Sequence, residues 1–211
     1  MKKIGFIGLG TIGYPIAGHI SNFFDINVFN RTKKKALEWS TEFNGKISSS
    51  IPELASKSNI LLICLSKDKD IEEVMLGDHG VFDHLKEGTI IIDHSTTSAD
   101  LAIKLNQVLA KKGSFYLDAP ISGGEEGAKK GTLSVMVGGT LEAYKDISNL
   151  LDCYSDFHKY MGLSGNGQLT KMINQICIAG LLQALAEAAS FSKKSGLSSK
   201  EVLDVISRGA A

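Results

Sequence analysis

The amino-acid sequence predicts an α/β fold in which a doubly wound, mostly parallel sheet precedes a long helix and the start of an all-helical domain. Short apolar runs such as "LLICL" and "IIID" alternate with helical stretches through residues 1–163. Nearly continuous apolar strands are typical of parallel sheets that helices cover on both faces. No strand pattern occurs after Gly165, so we divide the chain into residues 1–163 and 164–211.

The individual strands and helices are placed by their apolar patterns. Strands are predicted at 2–9, 26–30, 59–66, 89–95, 114–120 and 132–139. Helices are predicted at 11–22, 32–43, 51–58, 70–75, 98–113 and 141–154.

A last long helix is predicted from Gly165 to Ser195, with Gly196 as a natural stop, and its apolar sides predict burial. Ser198 and Glu201 then form a capping box for one more helix. Two helices cannot readily bury such faces alone. We therefore expect that the helical domain is incomplete within these residues, or that it packs against another subunit.

The composition excludes several classes of function. The 23 basic and 23 acidic residues cancel, which gives no electrostatic case for a nucleic acid or an anionic membrane as a partner. No stretch reaches the roughly 18 uninterrupted apolar residues of a membrane span, and the glycine-rich start does not fit a signal peptide, so a soluble, cytoplasmic protein is expected. Cys64, Cys153 and Cys177 lack metal-ligand spacing and are predicted to be reduced core residues.

The segment "GLGTIG" places Gly8, Gly10 and Gly13 in the spacing of a dinucleotide-binding loop. The first glycine allows a tight turn, the second lets the backbone approach a pyrophosphate, and the third lets helix pack on strand. The loop follows the first strand and opens the first helix, as this chemistry requires. Residues 1–163 are thus predicted to be a Rossmann-type dinucleotide-binding domain.

The end of the second strand, "VFNRT", indicates which dinucleotide is bound. Asn30 stands where a carboxylate that binds the ribose hydroxyls of NAD is expected. An amide does not repel a 2′-phosphate, and Arg31 and Thr32 offer a charged fork and a hydroxyl to bind one. NADP is therefore favoured over NAD. The alternative is an ordinary basic helix start, since 33–35 are all lysines.

Further polar segments follow the later strands, at the sheet edge where ligands of such folds bind. The sequence "ISGG" supplies Ser122, Gly123 and Gly124, whose N–H groups are suited to a carboxylate, although a plain flexible turn has the same composition. His94 lacks a nucleophile partner and is expected to be structural. In "GNGQLTKMINQ", helical spacing places Gln168, Lys171, Asn174 and Gln175 on one face.

Three ordered motifs of this chain, "FIGLGTIGYPIAGHI", "DAPISGGEEGAKKGTL" and "GNGQLTKMINQ", resemble the signatures of the β-hydroxyacid dehydrogenase family. This family includes 3-hydroxyisobutyrate dehydrogenase, tartronate semialdehyde reductase and glyoxylate/succinic semialdehyde reductases, and its nucleotide-binding half is like that of 6-phosphogluconate dehydrogenase. The resemblance implies an NADP(H)-dependent oxidoreductase that transfers hydride between the cofactor and a small, carboxylate-bearing hydroxy acid or semialdehyde.

The resemblance also assigns roles to residues of this sequence. Lys171 becomes the general acid/base, and the substrate contacts become Ser122, Gly123, Gly124, Asn174 and Gln175. The cofactor contacts become Gly8, Leu9, Gly10, Thr11, Ile12, Gly13, Asn30, Arg31, Thr32, Leu65, Ser66 and Thr96. No metal is implied, and a homo-oligomer formed through the helical region is expected.

Two clues to the substrate point in different directions. The pair Asn174–Gln175 resembles the tartronate semialdehyde reductase branch, whereas "NRT" resembles the glyoxylate/succinic semialdehyde reductase branch. Since the family has a longer helical domain, this chain also resembles a truncated member, which leaves a catalytically incompetent nucleotide-binding scaffold as the alternative. Imine reduction on a related fold is opposed by the lysine at position 171.

Overall fold

The structure, a computed structural model, describes residues 2–209 and has the predicted α/β architecture. Its strands are β1 (Ile4–Ile7), β2 (Ile26–Phe29), β3 (Lys46–Ile47), β4 (Ile60–Ile63), β5 (Ile90–Asp93), β6 (Phe115–Asp118), β7 (Ile121–Ser122), β8 (Leu133–Gly138) and β9 (Ser155–Gly162). Its helices are α1 (Gly13–Ser21), α2 (Lys33–Glu42), α3 (Ile51–Lys57), α4 (Asp68–Leu76), α5 (Ala99–Ala110), α6 (Gly124–Lys130), α7 (Leu141–Leu151), α8 (Asn166–Lys194) and α9 (Ser199–Ile206).

The strands form one sheet in the order β3-β2-β1-β4-β5-β6-β8-β7, with β9 paired to β8. From β3 to β6 all neighbours are parallel; β8 pairs antiparallel with β6 and with β7, and β9 pairs parallel with β8. The register aligns Ile7, Ile63, Asp93 and Asp118 in one row across four strands. The loops after β1, β4, β5 and β6 therefore leave the sheet side by side, which is the edge where ligands of open α/β sheets bind.

Helices cover both faces of the sheet, as the continuous apolar strands predict. One core cluster joins β1 and β2 to α1, α2 and α7 through buried residues such as Phe6, Ile16 and Trp39. The other joins β4 and β5 to α3, α4 and α5 through residues such as Leu61 and Leu105. The doubly wound sheet is confirmed by this arrangement and is a rigid support for the loops at its edge.

Three strands were not expected from the sequence. The short strand β3 has both residues exposed, and β7 has only two residues. In β9 only the first residue, Ser155, is buried, and exposed or partly buried residues such as Asp156 and Lys159 follow. None of these segments has the apolar run that identifies a buried strand. Their pairing depends on neighbouring strands rather than on their own composition.

The helix α8 is the longest element and ends before Gly196, which has φ of 74°. One compact unit of the chain ends at Lys171 and a second begins at Met172, so α8 starts in the first unit and continues in the second. The predicted boundary at 163/164 lies before this helix. In the second unit, Ser198 Oγ accepts a hydrogen bond from Glu201 N at 3.4 Å and caps α9.

The expected burial of α8 was wrong for most of its length. Ile176 is 70% exposed and Leu181 and Leu182 are each 61% exposed. By length and composition, α8 is long and apolar enough to cross a membrane, with a mean hydropathy of 1.3. Its longest uninterrupted apolar stretch is 176–182, so it does not contain the roughly 18 uninterrupted apolar residues that were considered necessary for a span. Cys177 on this helix is exposed, so its predicted core position was also wrong.

Candidate active site

The glycine loop between β1 and α1 is shaped by close backbone packing. Gly8 has φ of 102°, and a Cβ on it would collide with the carbonyl oxygen of Cys64. A Cβ on Gly13 would collide with the carbonyl oxygen of Gly8, whereas one on Gly10 would meet no atom within 4 Å. Since no side chain caps the first turn of α1, its N–H groups and the open approach at Gly10 fit a pyrophosphate.

The side chain of Asn30 joins this loop to the end of β2. Its Oδ1 accepts a hydrogen bond from Leu9 N at 2.9 Å, and its Nδ2 donates to the Thr32 carbonyl oxygen at 3.1 Å. Both ends of the amide are therefore used within the protein. Asn30 holds the loop in position, and the exposed side chains of Arg31 and Thr32 are left to meet a ligand.

A cleft of about 770 Å³ brings many of the predicted cofactor residues together. Its lining includes Gly8, Leu9, Gly10, Asn30, Arg31, Thr32, Leu65 and Ser66. It also includes Lys35, one of the three lysines that the alternative interpretation of the sequence assigns to an ordinary basic helix start. Lys35 lies one helical turn after Thr32, and this spacing is the signal that could have identified it.

Other predicted residues lie outside the lining of this cleft. Thr11 lines a neighbouring cleft of about 620 Å³, where it is joined by Glu125 and Lys129 of α6. Ile12 and Gly13 are packed at the start of α1. The remaining predicted residues belong to the loops after β5 and β6 and to α8.

The loop after β5 is tied to the loop after β4. Ser95 Oγ accepts a hydrogen bond from Leu65 N at 2.9 Å, and Ser95 N donates to Asp93 Oδ1 at 2.9 Å. Tyr116 OH donates to the other oxygen of Asp93 at 2.6 Å. Burial raises the pKa of the Asp93 carboxyl to about 6. The neighbouring Thr96 is exposed, so it is available to contact a ligand.

His94 is buried, and both of its ring nitrogens are hydrogen-bonded within the protein. Its Nδ1 lies 2.7 Å from the Ala119 carbonyl oxygen and its Nε2 lies 2.8 Å from Tyr154 OH. Burial lowers the pKa of His94 to about 4, so the ring is neutral at physiological pH, with Nδ1 donating and Nε2 accepting. The structural role expected for this histidine agrees with these contacts. Within 2–209, no group of three or more His, Cys, Asp or Glu residues is arranged to hold a metal ion.

The first turn of α8 is bound to the end of β6 by one carboxylate. Asp118 accepts hydrogen bonds from Gly165 N at 2.8 Å and from Gln168 N at 3.0 Å. Burial raises the pKa of the Asp118 carboxyl, and the bonds from these N–H groups oppose that rise. A carboxylate at this position satisfies N–H groups that have no partner within the helix and complements its dipole.

Lys171 lies one turn further along α8 and is partly buried. Among the residues that the structure describes, its ammonium group has no hydrogen bond or ion-pair partner. Removal from water lowers the pKa of Lys171 below its ordinary value of 10.5. An unpaired amine with a lowered pKa is suited to proton transfer.

The predicted substrate loop lies between β7 and α6. Gly123 and Gly124 have φ of 129° and 63°, values that favour glycine, and both residues are exposed. Ser122 is partly buried at the end of β7 and pairs with Ser134 of β8. The N–H groups of this loop have no side-chain cap and are available to an anion.

Asn174 and Gln175 belong to the second compact unit. Asn174 is partly buried, Gln175 is exposed, and Asn174 Nδ2 donates a hydrogen bond to Gln175 Oε1 at 3.1 Å. Their predicted contact with substrate stays a prediction.

Comparison with known families covers the whole chain. Residues 3–165 match the family described as the NAD binding domain of 6-phosphogluconate dehydrogenase. Residues 165–211 match the family described as NAD-binding of NADP-dependent 3-hydroxyisobutyrate dehydrogenase. The two matches meet at Gly165, where α8 is bound to Asp118.

Individual relatives agree with these family matches. An uncharacterized oxidoreductase of Shewanella frigidimarina is 42% identical over 212 residues, which cover 100% of this chain and 73% of the relative. The structure of Mycobacterium tuberculosis 3-hydroxyisobutyrate dehydrogenase with L-serine superposes with a TM-score of 0.89 at 27% identity, covering 100% of this chain and 71% of that one. A structure of Psf3 with NADP+ and 2-OPP has a TM-score of 0.89 at 30% identity, covering 99% and 74%.

The two glycines of the loop give opposite predictions for stability and binding. Gly13→Ala forces a methyl group against the Gly8 carbonyl oxygen, so the free energy of unfolding is expected to fall by about 1–3 kcal/mol. Gly10→Ala meets no protein atom within 4 Å, so stability is expected to stay unchanged while a dinucleotide binds more weakly. Urea denaturation and NADPH titration measure the two effects. A Gly10→Ala protein that binds NADPH as tightly as wild type contradicts the assignment of this loop.

Proposed function

We propose that this chain, which belongs to the β-hydroxyacid dehydrogenase family, is an NADP(H)-dependent oxidoreductase. Its substrate pair is a small 3-hydroxy acid and the corresponding semialdehyde, or a related short aldehyde acid such as glyoxylate and its alcohol. Family membership makes it an NAD(P)-dependent oxidoreductase; the substrate, the preference for NADP and the role of Lys171 are parts of the proposal. The observation that supports it most is the partly buried amine of Lys171, which has no partner among residues 2–209 and follows the anchored first turn of α8.

The preference for NADP is supported by residues in the lining of the 770 Å³ cleft. Arg31 and Lys35 bring two cations to this lining, and Thr32 brings a hydroxyl group. Asn30 brings no negative charge, because its side chain is a neutral amide that is bonded to Leu9 and Thr32. A 2′-phosphate is stabilised by such a set through charge-assisted hydrogen bonds. When bound, the reduced nicotinamide supplies the hydride.

Lys171 is proposed as the group that moves the proton. In the direction of reduction, its ammonium donates a proton to the carbonyl oxygen of the aldehyde as that oxygen gains negative charge. In the direction of oxidation, the neutral amine accepts the proton from the hydroxyl group. The lowered pKa of Lys171 brings both protonation states nearer to the working pH.

The acid end of the substrate is assigned to the loop after β7. The Ser122 hydroxyl and the N–H groups of Gly123 and Gly124 offer donors for a carboxylate. Holding the carboxylate fixes the aldehyde at a constant distance from it, which favours short aldehyde acids. Glyoxylate, tartronate semialdehyde and succinic semialdehyde are the candidates to compare.

Lys171→Ala tests the acid/base assignment. We expect kcat for NADPH-dependent reduction of the preferred aldehyde acid to fall by about 10²–10⁴-fold, because proton transfer in the transition state is lost. In the wild type, kcat for reduction should fall as pH rises through the lowered pKa of Lys171, and kcat for oxidation should rise there. Steady-state kinetics in both directions, from about pH 6 to about pH 10, measure these two pH dependences of kcat.

Lys111→Ala is the matched control, because Lys111 is an exposed lysine at the end of α5. It should keep wild-type kinetics. Near wild-type turnover of Lys171→Ala would show that another group moves the proton. Binding of NADPH without turnover of any of the three aldehyde acids by the wild type would instead favour a nucleotide-binding scaffold.

Arg31→Ala tests the cofactor preference. Hydrogen bonds to charged groups contribute about 1.5–3 kcal/mol, so the Kd for NADPH is expected to rise by roughly 10–150-fold while the Kd for NADH changes little. Lys33→Ala is the control, since Lys33, the first residue of α2, is exposed and does not line the cleft. Equal losses of NADPH and NADH affinity in Arg31→Ala would contradict the 2′-phosphate assignment.

A further inference from the structure

Gln168 is a buried amide whose two polar ends are both bonded to one loop. Its side chain has no exposed surface. Nε2 donates to the Ser95 carbonyl oxygen at 2.8 Å, and Oε1 accepts from Thr97 N at 3.1 Å. The loop between β5 and α5 thus obtains one donor and one acceptor from a single residue of α8.

The chemistry of this contact requires an amide. An apolar side chain of the same size would leave the Ser95 carbonyl and the Thr97 N–H without partners, and a carboxylate would face the Ser95 carbonyl oxygen with like charge. The amide satisfies both groups without placing a charge in the interior. The contact is therefore specific to the residue type and not only to its volume.

The loop that Gln168 binds is also the one that carries Thr96. Thr96 is exposed between the two bonded residues, Ser95 and Thr97. Ser95 Oγ in turn accepts from Leu65 N, which lines the cofactor cleft. Gln168 thereby connects α8 to two loops that are predicted to contact the nicotinamide side of the cofactor.

Gln168 and Lys171 are three residues apart on α8 and so lie on the same face. Asp118 fixes where the helix begins, through the N–H groups of Gly165 and Gln168. The Gln168 side chain adds a contact away from the helix axis, which opposes rotation of the first turn. These two restraints together fix the helix turn from which the Lys171 side chain projects.

We propose that Gln168 is a positioning residue. By binding the loop Ser95–Thr97, it keeps Lys171, the proton donor, at a constant distance from this loop on the cofactor side. This proposal rests on the proposed function of Lys171. A misplacement of about 1 Å in a catalytic group lowers the rate by about 10²-fold. Loss of the Gln168 contact is therefore expected to lower turnover more than cofactor binding.

Gln168→Met keeps the length of the side chain and removes both hydrogen bonds. We expect kcat to fall by about 10²-fold, while the KM for NADPH stays close to wild type because Arg31 and the glycine loop are untouched. A less restrained Lys171 is also more solvated, so the pKa of its amine should rise towards the ordinary value. Lysine ¹³C NMR titration of the cofactor-free protein measures that pKa independently of activity. Gln107→Met, at an exposed position on α5, is the matched control.

Gln168→Glu keeps the inference testable if Gln168→Met fails to fold. The protonated carboxyl group of this variant donates to Ser95 and accepts from Thr97, as the amide does, whereas the ionised group cannot. Its kcat relative to wild type should therefore be highest at low pH and fall as the introduced carboxyl ionises. A relative kcat that does not change with pH would overturn the proposal.

Folded Gln168→Met protein with wild-type kcat and an unchanged Lys171 pKa would also overturn it. So would equal losses of kcat and of NADPH affinity, because a general loss of structure affects both. If Lys171→Ala retains turnover, the proposed acid/base role fails. The Lys171 titration in cofactor-free Gln168→Met protein still decides whether Gln168 positions the amine.

Discussion

The Asp118 carboxylate is the constraint on which the geometry of the candidate active site depends. It ends β6 in the same row as Ile7, Ile63 and Asp93, and it holds the N–H groups of Gly165 and Gln168. A buried carboxylate is costly unless hydrogen bonds satisfy it, and the free N–H groups of a helix start are good donors. The sheet edge and the start of α8 therefore stabilise each other, and Lys171 follows one turn later.

Buried polar side chains complete the support of the site without taking part in the reaction. His94 is bonded at both ring nitrogens, and burial lowers its pKa to about 4, so it offers no base at neutral pH. Asp93 is held by Tyr116 and Ser95 beneath the exposed Thr96. These polar groups near the row of strand ends thus support loops, whereas the Lys171 amine has no partner in the part of the chain that the structure describes.

Local patterns predicted the parallel sheet, the glycine loop and the long helix, because each depends on residues close in sequence. The bonds that position the candidate site join distant residues: Gly165 to Asp118, Thr97 to Gln168, and Leu9 to Asn30. Such pairs are set by the topology of the sheet and leave no periodic signal. The burial of α8 was mispredicted for a related reason, since an apolar face does not reveal whether its own chain covers it.

The central claim is that the anchored start of α8 places Lys171 at the oxygen that changes protonation during the reaction. A crystal structure of the protein with NADP+ and the hydroxy acid formed from its preferred aldehyde acid tests this most directly. Lys171 Nζ is predicted to lie about 2.7–3.2 Å from the substrate hydroxyl oxygen, with the carboxylate at Ser122, Gly123 and Gly124. A hydroxyl oxygen bonded to another side chain, with Lys171 directed away from it, would contradict the account.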